Sequence, residues 1–349
     1  MSMVAEESGS VVTSQPILVS GVYRSGTTFM AALLGAHPDL RASSSTIKFI
    51  RFCLGRYGDM KLPENRRRLV EESATRVAKR WQLTLNSEAV LSAAEANPAP
   101  SYALLYDLMM RDMLCKGASG GVRWVEKLAV QWSGIPAFLD MFPNGRVVHI
   151  LRDPRDVATS YKLMTFEPGN TYLDAAFNCR GAMESMRDLD PHYRDRVMVV
   201  RAEDLALKPD EQVAALWEFL SLMPDNAMFD TESLHAEGED WATNTSHGGR
   251  FDRWPDAKPR WPEHLSRVEV MFIELITQPW LSTYGYESSG FVPTAEEWLQ
   301  IYSLLDDDFL RGRFACWLRT GQGAEGYRTD PYLHEMKIVF PERYTTEQQ

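Results

Sequence analysis

The segment SGVYRSGTT, Ser20–Thr28, restricts the fold of this chain more than any other part of its sequence. It follows the apolar run PILVSG and precedes TTFMAALLGAHPDL, whose apolar residues repeat at helical spacing until Pro38. This order predicts a strand, a tight turn and a helix. Backbone N–H groups of a glycine-rich turn and of a helix N-terminus bind anions, so the segment predicts a phosphate-binding loop.

The loop departs from the Walker A pattern, GxxxxGK followed by Ser or Thr, at one position. Thr27 stands where that pattern has its lysine. In nucleoside triphosphatases this lysine bridges the β- and γ-phosphates, and an acidic residue after a later strand holds magnesium. No such acidic residue is evident here. A single 5′-phosphate or a phosphosulfate needs only the turn at Gly26, the hydroxyls of Ser25, Thr27 and Thr28, and a cation such as Arg24.

A second strand, turn and helix follow in VVHILRDPRDVATSYK, residues 147–162. Arg152 stands at the end of the strand, and Ser160 lies eight residues further on, inside the helix. We expect both side chains to converge on a second phosphate. The alternative is that the charged residues of RDPRD pair with one another at the helix start. We favour that alternative for Arg155 and Asp156, but not for Arg152.

Further apolar runs predict the rest of the sheet. Strand-like segments occur at 121–126, 146–151 and 196–200, and each is followed by a helical pattern. Short apolar strands that alternate with helices are typical of a parallel sheet covered on both faces. The predicted fold class is therefore α/β: a P-loop-like parallel sheet flanked by helices, with a C-terminal helical and irregular extension.

The predicted organisation has three parts. Residues 1–15 are small and polar and predict a disordered tail. Residues 16–287 form the main domain, with a mostly helical insert at about 46–116 that is broken at Pro63 and at NPAP. Residues 288–349 are an extension packed on the same domain, in which TAEEWLQIYSLL is helical and the following aromatic-rich stretch is irregular.

Composition excludes several function classes. The formal charge of −11 over 349 residues argues against a nucleic-acid-binding protein and against a densely anionic acceptor. The four cysteines form no CxxC or Cys/His cluster, which argues against a disulfide framework and a zinc site. No signal peptide or membrane-spanning stretch is evident. We therefore expect a soluble, cytoplasmic enzyme without a membrane span.

The two motifs together resemble the sulfotransferases that use 3′-phosphoadenosine 5′-phosphosulfate (PAPS). YRSGTTFMAALLGAHPDLR is similar to their 5′-phosphosulfate loop and first helix, and HILRDPRDVATSY to their 3′-phosphate element. The branch with tyrosylprotein and many bacterial sulfotransferases is the most similar, over roughly residues 16–287. The resemblance implies transfer of a sulfuryl group from PAPS by in-line displacement, with adenosine 3′,5′-bisphosphate (PAP) as product and no metal. The acceptor would be a hydroxyl or amine of a small molecule, a lipid or polyketide, or a glycan.

The resemblance also implies roles for individual residues. Lys127 in WVEKLAVQW would contact the bridging oxygen and stabilise the leaving group, and Arg24 would hold the phosphosulfate. NTSHGGRFDRW is similar to the loop that closes over the nucleotide, where Arg250 or Arg253 would meet the 3′-phosphate and Gly249 would permit close approach. The predicted donor-binding residues are Arg24, Ser25, Gly26, Thr27, Thr28, Arg152, Ser160, Gly249, Arg250 and Arg253.

The general base is not where the resemblance places it. Relatives often carry a glutamate shortly after the first helix, whereas this chain has RASSST at 41–46. His247 in the predicted closing loop is the candidate base, and Glu126 is a second candidate that a salt bridge would equally explain. His37, before a helix-ending proline, and His149, in the middle of a predicted strand, are expected to be structural, with His149 a hydrogen-bonded core residue.

Two other function classes stay open at this point. A nucleotide kinase or other P-loop phosphotransferase would require ATP and magnesium, and the missing lysine argues against it. A non-catalytic nucleotide-binding protein would fit the missing glutamate and Ala202, which stands where relatives have a tyrosine near the adenine. The extension could also form a homodimer contact.

Overall fold

The computed structural model describes residues 13–118, 121–164, 169–230, 258–323 and 325–344. Its centre is a parallel sheet of five strands in the order β2-β3-β1-β4-β5. This confirms the predicted fold class. The predicted strands are present, and β2 is an addition that the sequence did not reveal because it has only three residues. The strands are β1 Ile17–Gly21, β2 Leu40–Ala42, β3 Arg123–Ala129, β4 Arg146–Leu151 and β5 Val197–Arg201.

Seventeen α-helices surround the sheet in the described part of the chain. They are α1 Thr27–Gly35, α2 Phe49–Phe52, α3 Pro63–Trp81, α4 Ser87–Glu95, α5 Tyr102–Leu114, α6 Ile135–Met141, α7 Pro154–Met164, α8 Asp174–Arg187, α9 Pro191–Arg194, α10 Ala202–Leu207, α11 Pro209–Leu220, α12 Trp261–His264, α13 Arg267–Thr277, α14 Trp280–Thr283, α15 Ala295–Ser303, α16 Asp308–Thr320 and α17 Pro331–Val339.

The strand register brings the predicted motifs to one edge of the sheet. Gly21 at the end of β1 lies opposite Ala129 of β3 on one side and Ile150 of β4 on the other. The segments that follow these three strands therefore leave the sheet side by side. In open α/β sheets this carboxyl-terminal edge is where ligands bind.

Both faces of the sheet are buried, as expected for parallel strands joined by helices. Ile17 and Val19 of β1 pack in one hydrophobic core with α1 and α11, and Leu18 packs in a second core on the opposite face. The second core includes packed aromatic rings. The ring centroids of Phe49 and Tyr106 lie 4.3 Å apart in a stacked pair, and the centroid of Tyr106 is 5.0 Å from that of Trp124.

The helical insert is confirmed, with one correction. Helices α2 to α5 occupy it, and the NPAP segment separates α4 from α5. Pro63 was predicted to break a helix, but it is the first residue of α3. Proline is favourable there because the first N–H groups of a helix have no intrahelical partner and its fixed φ suits a helix start.

The extension is more regular than expected. TAEEWLQIYSLL is helical as predicted, but the stretch predicted to be irregular contains α17. Met336 and Val339 of α17 are buried, and its Glu335 pairs with Arg80 of α3 at 3.1 Å. Burial against α3 therefore orders a segment whose local sequence does not show a clear helical pattern. The boundaries of the three predicted parts stay a prediction.

His149 is buried as expected, but it is not hydrogen-bonded. It lies in the central part of β4, fully inaccessible to solvent, and neither ring nitrogen has a partner among the described residues. The hydroxyl of Ser20, its register partner on β1, is likewise unpartnered there. The expectation of a hydrogen-bonded core histidine is therefore wrong: its neighbour on β5 is the apolar Val199, and the hydroxyl of Ser20 on β1 makes no hydrogen bond with it.

This histidine predicts acid-sensitive stability. Burial lowers the pKa of His149 from 6.5 to about 3. Between these values the unfolded chain binds a proton that the folded protein does not. The free energy of unfolding should therefore fall by about 1.4 kcal/mol per pH unit on acidification. Urea denaturation at several pH values in this range gives the free energy of unfolding as a function of pH. Its slope against pH should be smaller by that amount in His149→Leu and unchanged in the control His192→Gln. Equal slopes in wild type and His149→Leu would contradict this origin.

Candidate functional site

The turn between β1 and α1 has the backbone of an anion-binding loop. Arg24 and Gly26 have φ values of 69° and 103°, in the left-handed region. Helix α1 begins after Gly26 without a side-chain cap and without an acidic residue in its first turn. A Cβ on Gly21 would lie 2.6 Å from the carbonyl oxygen of Ile150, so only glycine fits where β1 enters the turn. The uncapped N–H groups of α1 can therefore donate hydrogen bonds to an anion.

The hydroxyl groups predicted to bind the phosphate already make different hydrogen bonds in the structure. Ser25 is buried and donates its hydroxyl to the carbonyl oxygen of Val22 at 2.7 Å, so its proton holds the loop together. Thr28 accepts a hydrogen bond from the ammonium group of Lys127 at 3.1 Å. The sequence-predicted lysine thus lies at the beginning of α1, although it comes from β3 and not from the loop.

A second lysine lies behind this contact. The amine of Lys48 donates to the carbonyl oxygen of Lys127 at 2.7 Å and to the hydroxyl of Thr46 at 2.9 Å. Burial, with additional repulsion from Lys127, lowers the pKa of Lys48 to about 7. Lys48 is not part of any motif recognised in the sequence. The only indication of a role is its place just after RASSST, where relatives often have their base.

The predicted 3′-phosphate element lies beside the loop. The guanidinium group of Arg24 donates to the hydroxyl of Ser160 at 3.2 Å, and Arg152 donates to the carbonyl oxygen of Arg24 at 3.2 Å. The structure therefore brings Arg24, Arg152 and Ser160 together. Arg24 faces Ser160 here, whereas the sequence predicted it at the phosphosulfate.

Arg260 adds a further positive charge that the sequence analysis missed. Burial lowers the pKa of Arg24, and the neighbouring charges of Arg152 and Arg260 lower it further. Asp156 accepts hydrogen bonds from the backbone N–H groups of Arg260 and Trp261, each at 2.9 Å, and thereby holds this segment against α7. The charges of Arg152 and Arg260 thus both act on Arg24, an arrangement of like charges that a dianion would stabilise.

The charged residues of RDPRD pair in part with one another, and Arg152 takes part in this pairing although it was expected not to. Arg155 pairs with Asp153 and with Glu274, each at 2.7 Å, and all three side chains are buried. Asp156 holds backbone N–H groups and lies 3.6 Å from Arg152. Arg155 and Asp156 are therefore structural, and Arg152 is the residue of this group that reaches the loop.

The candidate bases are resolved in part. Glu126 is fully buried, and its carboxylate accepts hydrogen bonds from the hydroxyls of Thr46 and Tyr106 and from the backbone N–H of Lys48. This contradicts Glu126 as a base, because its oxygens are already hydrogen-bonded and out of reach of an acceptor. His37 is buried and bonds the carbonyl oxygen of Met223 at 2.8 Å, which confirms its structural role. His247, Gly249, Arg250 and Arg253 lie outside the described residues.

Arg51 connects the loop to the extension. Its guanidinium group donates to the hydroxyl of Tyr23 in the loop at 3.1 Å and to the hydroxyl of Tyr327 at 2.9 Å. It also bonds Gln131 at 3.0 Å. A residue of the extension therefore contacts the side chains that hold the phosphate-binding loop. Neither Arg51 nor Tyr327 carries a sequence signal for this contact.

Within the described residues, no group of three or more His, Cys, Asp or Glu side chains could hold a metal ion. Among the helices of the same described segments, none is long and apolar enough to cross a membrane.

Comparison with known proteins identifies the chain's relatives. A protein-tyrosine sulfotransferase of Drosophila melanogaster is 26% identical over 229 residues, which is 62% of this chain and 40% of the relative. Protein-tyrosine sulfotransferase 1 of Danio rerio is 24% identical over 62% of this chain and 56% of the relative. The match thus spans about half the length of these two curated relatives.

Solved structures and a family model were also compared. The sulfotransferase domain of the Synechococcus PCC 7002 olefin synthase matches 86% of this chain and 98% of its own, with 18% identity and a TM-score of 0.45. A mouse sulfotransferase in complex with PAP matches 76% and 84%, with 13% identity and a TM-score of 0.40. The model of the sulfotransferase family matches residues 16–225. This match covers the loop, the sheet and the cluster of Arg24, Arg152 and Ser160, and the chain belongs to the sulfotransferase family.

Proposed function

We propose that this protein transfers a sulfuryl group from PAPS to a hydroxyl or amine group of an acceptor. The acceptor would belong to a small molecule, a lipid or polyketide, or a glycan. Phenolic hydroxyls are the first to test, because the fly and zebrafish relatives are named for protein tyrosine. The observation that carries the proposal is the pairing of two cationic groups at one sheet edge: Lys127 at the start of α1, and the cluster of Arg24, Arg152 and Arg260.

Two cationic groups suit a donor with two separate anionic ends. The amides at the start of α1 and the ammonium group of Lys127 would hold the 5′-phosphosulfate. Arg152, Ser160 and Arg260 would hold the 3′-phosphate, with Arg24 between the two groups. When bound, PAPS supplies the activated sulfuryl group, and the protein's part is alignment and charge neutralisation.

Two alternatives are less well supported. A kinase would need a cation at the γ-phosphate and carboxylates for magnesium. The loop has no lysine of its own, and the carboxylate of Asp156 is engaged by Arg152 and by backbone N–H groups. A non-catalytic binding protein would not need Lys127 against the start of α1. We assign the activity to a domain of residues 16–287 covered by the extension. The bonds from Arg51 to Tyr23 and Tyr327 support this assignment.

Ligand-dependent stability tests the donor class. We expect PAP to raise the midpoint of thermal unfolding, and a ligand at a hundred times its Kd adds about 2.7 kcal/mol to the free energy of unfolding. AMP, which lacks the 3′-phosphate, should give a smaller shift, and ATP with magnesium should give little. A shift with ATP and magnesium alone would favour the kinase. No shift with any nucleotide would favour a degenerate site.

The arginine cluster predicts selective binding of the 3′-phosphate. Arg152→Met should weaken PAP binding by roughly 10- to 100-fold, since a hydrogen bond to a charged group contributes about 1.5–3 kcal/mol. AMP binding should change little. Isothermal titration of both nucleotides measures this, with Arg67→Met as the matched control, because Arg67 is exposed and pairs with Glu71 and Glu88. Equal losses for PAP and AMP would place Arg152 elsewhere in the nucleotide site.

The lysine beside Thr28 predicts a defect in turnover. Lys127→Met should lower kcat by roughly 100- to 1,000-fold, as expected when a preorganised charge at a developing anion is removed. The Kd for PAP should change much less. Transfer of labelled sulfuryl from PAPS to 4-nitrophenol or to a tyrosine peptide measures kcat. Lys208→Met, at an exposed lysine paired with Glu211, is the control. A wild-type kcat in Lys127→Met would disprove the assigned role.

A further inference from the structure

Lys48 occupies a position that the family resemblance does not assign. It directly precedes α2 with a φ of 52°, and its side chain is half-buried next to the end of β3. Its amine lies against the carbonyl oxygen of Lys127, the residue whose ammonium group meets Thr28. A single residue, Lys127, therefore separates this amine from the start of α1, where the phosphosulfate would bind.

The hydrogen bonds of Lys48 have a defined direction. The hydroxyl of Thr46 donates its proton to Glu126, so towards Lys48 it can only accept. The carbonyl oxygen of Lys127 also only accepts. Both contacts therefore use N–H bonds of the amine. The amine nitrogen has three positions for hydrogen bonds, and the third has no partner among the described residues. In the neutral amine this third position is a lone pair.

The surroundings of Lys48 favour the neutral amine. Burial is the main cause that lowers its pKa to about 7, opposed by the attraction of Glu126. The charges of Lys127, Arg51 and Arg76 lower it further, and these are the charged groups that face it from β3, α2 and α3. At neutral pH a large fraction of the amine can therefore accept a proton.

We propose that Lys48 is the general base that takes the proton of the acceptor hydroxyl. This inference rests on the proposed sulfuryl transfer. As the acceptor oxygen bonds to sulfur, its O–H bond breaks and the proton passes to the lone pair of Lys48. The bond from sulfur to the bridging oxygen breaks, and its electron pair stays on the 5′-phosphate of PAP. Lys48 then returns the proton to water. The role suits this position because Glu126, the nearest carboxylate, is fully hydrogen-bonded.

The experiment compares Lys48→Met and Lys48→Arg with wild type and with Lys208→Met. Titration with PAP first shows that each variant folds and binds nucleotide. Sulfuryl transfer is then measured with 4-nitrophenol, assayed at a pH where it is ionised, and with 4-methylphenol, which keeps its proton. Loss of a base should reduce kcat with 4-methylphenol by roughly 100-fold or more in both variants. The loss with ionised 4-nitrophenol should be less than tenfold, because that acceptor has no proton to remove.

The pH dependence gives a second readout. In wild type, kcat/KM for 4-methylphenol should fall tenfold per pH unit below about pH 7, and this limb should be absent in Lys48→Met. Full activity in Lys48→Arg, or equal losses with both phenols, would overturn the proposal and make Lys48 a binding cation. Unchanged activity in Lys48→Met would overturn it as well.

A test without an acceptor applies if neither phenol is a substrate. Acetylation of the PAP-bound protein by acetic anhydride, followed by peptide mass spectrometry, measures the ionisation of each lysine. Lys48 should react with a midpoint well below that of Lys208. An unreactive Lys48, or an ordinary midpoint near 10, would overturn the proposal. Failure of wild type to bind PAP would instead show that the proposed function itself is wrong.

Discussion

The buried carboxylate of Glu126 is the contact on which the arrangement of the site depends. It stands on β3 and accepts hydrogen bonds from Thr46 and Lys48, which follow β2, and from Tyr106 of α5. A charge buried in this way is tolerated only where its oxygens are fully hydrogen-bonded, and removing one partner is costly. The same bonds fasten the helical insert to the sheet. They also place Lys48 beside Lys127, so one structural carboxylate positions both lysines.

The site gathers positive charge in two places in a protein whose net charge is −11. The ammonium group of Lys127 lies at the start of α1, and Arg24, Arg152 and Arg260 lie beside it. Charges of the same sign at close range destabilise the folded protein unless an anion neutralises them. Burial is the main cause that lowers the pKa values of Lys48 and Arg24, and neighbouring positive charges lower them further.

Much of the fold was predictable because it follows from local patterns. Apolar runs followed by polar turns identify β1 and β4, and the spacing in RSGTT identifies the loop. Contacts distant in sequence were not predictable. Helix α17 forms because Met336 and Val339 are buried against α3, and His149 has no hydrogen-bond partner among the described residues although Ser20 lies beside it on β1. Neither fact is visible in the residues next to them.

The same distinction between local patterns and contacts distant in sequence applies to the site. The sequence by itself determined the phosphate-binding loop, the second strand-turn-helix with Arg152 and Ser160, and the presence of Lys127 near the end of a strand, since each motif is a local pattern of backbone and side-chain donors. Only the tertiary structure decided that Glu126 is a scaffold and that the amine of Lys48 makes two hydrogen bonds as donor, with no third partner among the described residues. Burial and hydrogen-bond direction depend on what packs around a residue, and here those neighbours come from the segment after β2, from β3 and from α5.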